Sequence, residues 1–331
     1  GQSRAANKAL LTGEPQLLRR PMSRIVEPLR QMGAAIESRD GHAPLAIQGR
    51  PLHGCEYTLP IASAQVKSAL LLAGLYADGP TIIHQPGPAR DHTERMLAAL
   101  GADVEVDGLT VALSPPASPL SPFSFSIPGD ISSAAFLLVA AALVSDSEIQ
   151  IADVGVNPTR TGLLEVLRAM GGRVVLENER EREGEAVADL TVRASELTGV
   201  EVGGDTVVRM IDEFPALAVA ATQARGATIV RDAAELRVKE SDRIAAIVAE
   251  LRALGARIDS QPDGFIIQGP TPLRGAVVDS HGDHRLAMAL AVAGLIAEGE
   301  VQVENVECIK DSFPSFVDVM REVGAALSIQ R

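Results

Sequence analysis

Tryptophan is absent, and seven Phe with two Tyr bring the aromatic share to only 3%, although 46% of the 331 residues are hydrophobic. The cores must therefore be built from Ala, Val, Leu and Ile, which favours helices packed closely on sheets over an aromatic-rich sandwich. Cysteine is scarce too. Cys55 and Cys308 allow one disulfide at most, and such usage reads as two reduced thiols in a cytoplasmic protein. No apolar run reaches the ~18 residues of a membrane span. The longest, 133–144 (SAAFLLVAAALV), reads as a buried helix. The first residues carry no secretory leader pattern. Positive charge is short as well: 30 Lys and Arg face 43 Asp and Glu, a net charge of −13. That argues against the basic footprint of a nucleic-acid binder. It also means that anionic ligands need the few bases gathered locally, because the overall field repels them.

What the chain does have is repetition. On a prior of ~150 residues per domain the length suggests two domains. Five segments share one pattern, an amphipathic helix, a Gly, then a strand: 27–38, 96–106, 166–176, 250–260 and 319–329. Their glycines are Gly33, Gly101, Gly171, Gly255 and Gly324, spaced by roughly 70 residues and once by more. A glycine there suits the position just past a helix end, where φ is often positive. Between these segments lie four Ala-rich stretches, 63–77, 131–144, 212–224 and 284–297, apolar nearly all round and hence buried helices. Each is followed by a short Val/Ile-rich run that reads as a strand. The first amphipathic helix, 22–32, has no buried helix before it, since residues 1–10 are too few and too polar. A repeat that starts half way through leaves an apolar face uncovered. The expectation is a truncated chain, or a face covered by self-association or by a complementing N-terminal fragment. The Pro/Ser-rich stretch 114–122 marks a domain boundary, and the Glu/Arg-rich stretch 177–187 reads as a solvated loop.

Charged residues recur at the starts of the apolar helices, where free N–H groups and the helix dipole favour anions. In RRPMSR (19–24), Pro21 fits a first helical turn, and Arg19 and Arg20 suit a carboxylate or phosphate. In SAQVK (63–67), Ser63 is a natural cap, with Gln65 and Lys67 in the first turn. RDHTER (90–95) sets Arg90 at a helix mouth, with Asp91 or Thr93 as cap. PGDISSAAF (128–136) and NPTRTG (157–162) are ordinary helix starts when taken singly. MIDEFP (210–215) places two adjacent carboxylates before a very apolar helix. Capping explains one; the other, if buried with a raised pKa, suits a general base. In ELRVKESDR (235–243), Lys239 and Arg243 are four apart and would share a helix face, with Glu240 beside them. A surface salt-bridge cluster is the common meaning of such a run. GDHRLAM (282–288) puts His284 and Arg285 at the mouth of a buried helix.

In family order and from about Leu11 onward, these motifs resemble the EPSP synthases. RPM, SAQVKSALLLAGL, RDHTE, PGDxSSAAF, NPTRTG, IDEFP, LRVKESDR, DHRxAM and SFPxF all match. The SAQ and RDHT forms are similar to the glyphosate-tolerant bacterial class. The resemblance implies an α/β (α+β) enolpyruvyl transferase fold, inside-out and barrel-like, in which repeated βαβαββ units form two domains that close on substrate. It implies transfer of the enolpyruvyl group of phosphoenolpyruvate to the 5-hydroxyl of shikimate 3-phosphate, with release of phosphate and without metal or organic cofactor. Carried over by motif, Arg20, Ser63, Gln65 and Arg90 bind shikimate 3-phosphate, while Ala64 stands where some members have a second phosphate-binding Ser. Asp212 accepts the 5-hydroxyl proton, and Glu240 moves a proton at the enolpyruvyl methylene. Lys239 contacts the shikimate phosphate side or the attacking hydroxyl. Arg243 and Arg285 grip phosphoenolpyruvate with His284 in support, and Lys310 stands one residue off a family Lys.

The family's N-terminal GDKSxSxR motif and NAGT segment are not found. In the family that part also lends a strand to the second domain. The expectation is an incomplete domain 1–126, with about two of three repeats, and a domain 127–331 with three. Two other readings stay open. One is a non-catalytic fragment that binds anions without turnover. The other is the sister UDP-N-acetylglucosamine enolpyruvyl transferase, disfavoured because neither cysteine lies in a Gly-rich loop.

Overall fold

The computed structural model describes residues 7–122 and 124–329. The first six residues of the polar start lie outside the described residues. The chain divides into two units. One is 1–126 with 183–185, and the other is 127–182 with 186–331.

Unit 1 opens with β1 (Lys8–Leu11), the short α1 (Pro15–Leu18), α2 (Ser23–Gln31), β2 (Ala35–Arg39) and β3 (His42–Gln48). These strands form an antiparallel sheet in the order β1-β3-β2. A full repeat follows: β4 (Glu56–Thr58), α3 (Ala64–Gly74), β5 (Thr81–His84), α4 (His92–Ala99), β6 (Asp103–Asp107) and β7 (Thr110–Ser114). Its sheet runs β4-β5-β7-β6, with β4 and β5 parallel and the other pairs antiparallel. Leu70, Leu71, Ile83, Leu97, Val111 and Leu113 fill the core beneath it.

Unit 2 begins with α5 (Ile131–Leu143), β8 (Glu148–Gly155), α6 (Gly162–Ala169), β9 (Arg173–Arg182) and β10 (Glu185–Arg193). The next repeat is β11 (Glu201–Val202), α7 (Asp205–Arg209), α8 (Phe214–Gln223), β12 (Gly226–Val230), α9 (Arg243–Ala253), β13 (Arg257–Gln261) and β14 (Gly264–Gly269). The last is β15 (Val277–Asp279), α10 (His284–Gly294), β16 (Gln302–Glu304) and α11 (Phe316–Glu322). The β11-β12-β14-β13 sheet repeats the β4-β5-β7-β6 pattern, parallel pair first. The βαβαββ repeat is thus written out in full in both units. In unit 2 the Ala-rich helices α5, α8 and α10 pack on one another as the core. Small side chains let the three helices pack closely, and Phe136 meets Phe316 edge-on.

The five repeat glycines end their helices alike. Gly33, Gly101, Gly171, Gly255 and Gly324 have φ of 93°, 83°, 93°, 92° and 98°. In each the glycine amide and the next amide return to the last turn; Gly171 donates to the Arg168 carbonyl at 2.9 Å and Gly172 to Leu167 at 2.8 Å. This is the paired-bond helix stop that a left-handed residue permits. Four repeats add an arginine latch that the spacing already encodes. The Arg three residues before the glycine donates through Nε to the carbonyl three residues after it, as in Arg252 to Ile258 at 2.7 Å. The latch ties the helix end to the segment that follows it.

Three sequence expectations are corrected. Stretch 177–187 is not a loop but most of the β9–β10 hairpin, turning on Glu183 (φ 48°) and Gly184 (φ 83°). Two positive φ values suit a tight hairpin turn. Charge pairs such as Arg182–Asp153 at 2.7 Å and Arg180–Asp189 at 3.2 Å line it. A strand that is polar on both faces carries no apolar alternation to read. Pro21 is not in a helical turn, because it bridges to His42 while the Met22 amide donates to the Gly41 carbonyl at 2.7 Å, which delays α2 to Ser23. After Gly324, residues 325–329 form no strand. β15 and β16 make a two-stranded sheet, and a cleft lined by Val303, Leu327 and Ile329 separates β16 from that terminal segment. An extended chain without a hydrogen-bonded neighbour is not a strand. Among the described residues no helix is long and apolar enough to cross a membrane. Both cysteines are free, and burial pushes both thiols up.

In unit 1, Lys67 and Glu94 form a buried ion pair at 2.6 Å, and Lys67 also donates to Gln85 at 2.9 Å. Lys67→Met leaves the Glu94 charge stranded and is expected to cost about 3–5 kcal/mol in urea unfolding, most of it returned by adding Glu94→Leu. A single variant within about 0.5 kcal/mol of the parent would mean that the pair is not the tie it looks to be.

Candidate active site

Three helix starts meet at one end of unit 2. α5, α8 and α10 are apolar along their length, so their polar chemistry is confined to the first turns. Asp130 caps α5 by accepting from the Ser133 amide at 2.9 Å. Asp283 caps α10 by accepting from the Arg285 amide at 2.9 Å and the Leu286 amide at 3.4 Å. Asp242 does the same for α9 through the Ala245 amide at 3.0 Å. α8 differs: Glu213 precedes it without capping, and its carboxyl turns instead to Ser132 of α5.

Arg243 is the centre of the cluster. It is 1% exposed and touches three carboxylates. Nε donates to Asp283 Oδ2 at 2.7 Å, Nη2 to Glu240 Oε2 at 2.7 Å, and Nη1 reaches Asp212 Oδ1 at 3.5 Å. Asp212 in turn lies 3.8 Å from Nη2 of Arg285. Desolvation works against the charge of Arg243, but Asp283, Glu240 and Asp212 outweigh it and raise its pKa further. Burial alone would raise the Asp283 carboxyl, yet the Arg243 charge and hydrogen bond hold it below the usual range. Burial, then the nearby Arg285 charge, lowers the His284 imidazole, so it is neutral near pH 7.

The ELRVKESDR run is not one helix, which corrects the shared-face reading of Lys239 and Arg243. A 3₁₀ turn covers Ala234–Val238, the backbone is extended at Lys239, and α9 starts only at Arg243. The break is what frees Glu240 to fold back on Arg243, while Lys239 goes to Glu235 at 3.3 Å. Of the unit 2 residues singled out from sequence, Asp212, Glu240, Arg243 and Arg285 are brought together, with His284 next to Arg285 in the first turn of α10. Lys239 pairs instead with Glu235. Lys310 is exposed on a 3₁₀ turn beside the β16 cleft.

In unit 1, Ser63 caps α3 by accepting from the Val66 amide at 3.4 Å; Ala64 and Gln65 follow in its first turn. Ser68–Thr93 at 2.7 Å and the Lys67–Glu94 pair tie the start of α3 to that of α4, just ahead of which Arg90 lies. Arg20 is exposed between α1 and α2. The cap foreseen at Asp91 or Thr93 is not made by a side chain; Asp91 instead accepts from Arg95 Nε at 2.8 Å.

Sequence reasoning passed over Asp283, whose signal is its place just before a buried helix, and over the Arg160–Ser132–Glu213 network. There Arg160 Nη2 donates to Ser132 Oγ at 2.7 Å and to Asp130 Oδ1 at 3.1 Å. The raised carboxyl of the MIDEFP run is Glu213: burial pushes it up against the Ser132 hydrogen bond, and the Asp212 charge adds to the rise. Among the described residues no group of three or more His, Cys, Asp or Glu could hold a metal ion. Chemically, the cluster offers carboxylates for proton transfer beside two fixed guanidinium groups. The Arg285–Asp212 contact is longer than a hydrogen bond and is open to competition by an incoming anion.

The sequence pattern of one family, EPSP synthase (3-phosphoshikimate 1-carboxyvinyltransferase), matches residues 2–320. A 3-phosphoshikimate 1-carboxyvinyltransferase of Geobacter sulfurreducens is 56% identical over 316 residues, 95% of this chain and 73% of that protein. One of Geobacillus kaustophilus is 51% identical, over 95% of this chain and 74% of that protein. The solved EPSP synthase of Acinetobacter baumannii superposes with a TM-score of 0.91 at 42% identity, over 99% of this chain and 76% of that one. The enolpyruvyl transferase NikO of Streptomyces tendae, at 21% identity and a TM-score of 0.77, shares the fold.

The Arg243–Asp283 pair sets a test. Asp283→Asn leaves Arg243 buried with less countercharge and is expected to cost about 3–5 kcal/mol of stability at pH 7 in urea unfolding. The sign in pH follows from the depressed Asp283 carboxyl. Its stabilisation is full above the unfolded Asp value of about 3.9 and is lost as pH falls below it, so the gap between parent and variant should shrink on acidification. A gap that is constant from neutral pH down to acid unfolding would show that Asp283 is not ionised against Arg243.

Proposed function

The chain belongs to the EPSP synthase family, and we propose that it transfers the enolpyruvyl group of phosphoenolpyruvate to the 5-hydroxyl of shikimate 3-phosphate, releasing phosphate. The observation that carries the reading is Asp212 lying between the guanidinium groups of Arg243 and Arg285, with Glu240 on the same buried arginine.

Arg243 and Arg285 hold the carboxylate and phosphate of phosphoenolpyruvate, and His284, neutral at physiological pH, supports the site beside Arg285. Addition protonates C3 of phosphoenolpyruvate while the 5-hydroxyl oxygen bonds to C2. Glu240 gives the proton to C3 and Asp212 takes the one from the hydroxyl. Elimination then breaks the C2–O bond to phosphate, Glu240 recovers a proton from the methyl group, and the proton held by Asp212 leaves with the phosphate. Both carboxyls are placed for general acid–base work, and the fixed guanidinium groups stabilise the anionic tetrahedral species. Ser63, Gln65, Arg20 and Arg90 hold shikimate 3-phosphate, with Ala64 offering no hydroxyl to it. Lys239, which changes partner from Glu235, meets the shikimate phosphate side or the attacking hydroxyl, and Lys310 is the weaker addition to the phosphoenolpyruvate set.

A coupled phosphate-release assay with both substrates tests the reading. Turnover by the purified chain should fall about 10²–10⁴-fold in Asp212→Asn, with KM much less affected. Arg285→Ala should chiefly raise the KM for phosphoenolpyruvate. Substrates that raise the melting temperature of the parent chain without any phosphate release would point to a binder instead of an enzyme.

A further inference from the structure

Glu213 is the buried carboxyl for which the proposed chemistry has no use. It is 1% exposed, and its Oε1 accepts from the Ser132 hydroxyl, while Oε2 is buried without a hydrogen-bond partner. The groups facing it can be named from every element packed on α8. α5 presents Ser132, and behind it the loop before α6 presents Arg160, whose Nη2 is committed to Ser132 and Asp130. α10 presents Arg285 and α9 presents Arg243, both turned to Asp212. β14, GFIIQG, presents no titratable side chain. Asp212 adjoins it in the chain. An ionised carboxylate so deeply buried, with one hydroxyl as its hydrogen-bond partner, would be costly. The site already sets the carboxylates of Asp212 and Asp283 against the two guanidinium groups of Arg243 and Arg285. An ionised Glu213 would add a negative charge that opposes the binding of an anion.

Asp212 lies 3.5 Å from Arg243 and 3.8 Å from Arg285. Its neighbour is held firmly: the Glu213 amide donates to the Met210 carbonyl at 2.9 Å, its carbonyl accepts from Leu217 at 2.9 Å, and its side chain is anchored on α5. We propose that Glu213 is a positioning residue, an uncharged carboxyl that fastens the turn before α8 to α5 through Ser132 and so aims Asp212 at the two arginines. The raised pKa of Glu213, due first to burial, agrees with this. The proposal rests on the reading of Asp212 as the proton acceptor, but its physical content can be tested without turnover.

The experiment uses the full chain. Infrared difference spectra near neutral pH should show a protonated-carboxyl C=O band that is lost in Glu213→Gln. A group protonated in the folded state above its unfolded pKa destabilises the fold as pH rises. The melting temperature of the parent should therefore fall relative to Glu213→Gln as pH climbs from about 4.3. No such band, together with a gap of the opposite slope, overturns the uncharged state and means a carboxylate held by Arg160. For the aim of Asp212, a crystal structure of Glu213→Ala should show Asp212 displaced from Arg243 and Arg285, and kcat should drop about 100-fold, as for a misplacement of ~1 Å. Glu213→Gln should restore most of that loss. An unmoved Asp212 in Glu213→Ala overturns the positioning role. If the parent shows no turnover, the reaction assignment fails alone, and spectrum, melting curves and Asp212 coordinates still decide this inference.

Discussion

The buried guanidinium of Arg243 is the constraint on which the rest of unit 2's site depends. A charge with 1% exposure cannot be left to water, so carboxylates must come to it from elsewhere in the chain. Asp283 comes from the cap of α10, Glu240 from the break before α9, and Asp212 from the turn before α8. Each arrives because its helix begins there. One cation thereby fixes the mutual position of three helix starts, and the carboxyls with chemical potential are placed in the course of satisfying it.

The repeat explains how a protein with few bases makes such a place. Each βαβαββ module buries one Ala-rich helix that has no room for polar groups along its length, so its polar chemistry collects at the first turn. When α5, α8 and α10 pack together, those first turns become neighbours. Unit 1 repeats the device on a smaller scale, where Lys67 and Glu94 tie the starts of α3 and α4. The net charge of −13 does not prevent a local concentration of positive charge, because packing brings Arg243 and Arg285 to the same carboxylate, Asp212. A neutral Glu213 fits the same logic by sparing the cluster one more repulsion.

Much of this was legible in advance. The helix–Gly–strand spacing marks every module, since a left-handed helix stop tolerates little but glycine, and all five glycines have it. The apolar runs mark the buried helices, and the acidic residues before them mark the mouths. What could not be read was anything set by a distant partner. The charged tip of the β9–β10 hairpin, from Glu177 to Glu185, has no apolar alternation to betray it. The stretch after Gly324 has the composition of a strand, yet among the described residues no strand is paired with it. The KESDR run looks helical by spacing, but the backbone is extended at Lys239 and α9 starts only at Arg243.

Sequence alone determined the modular architecture, the family, and which residues stand at the helix mouths, because periodicity, glycine spacing and capping are local properties of the chain. Tertiary structure decided how those mouths are used. It made Arg243 rather than Lys239 the buried hub, buried Glu213 so that its carboxyl is pushed up, and brought in Asp283 and Ser132. These outcomes depend on desolvation and on charges that meet only when three helices pack, and no local rule contains them.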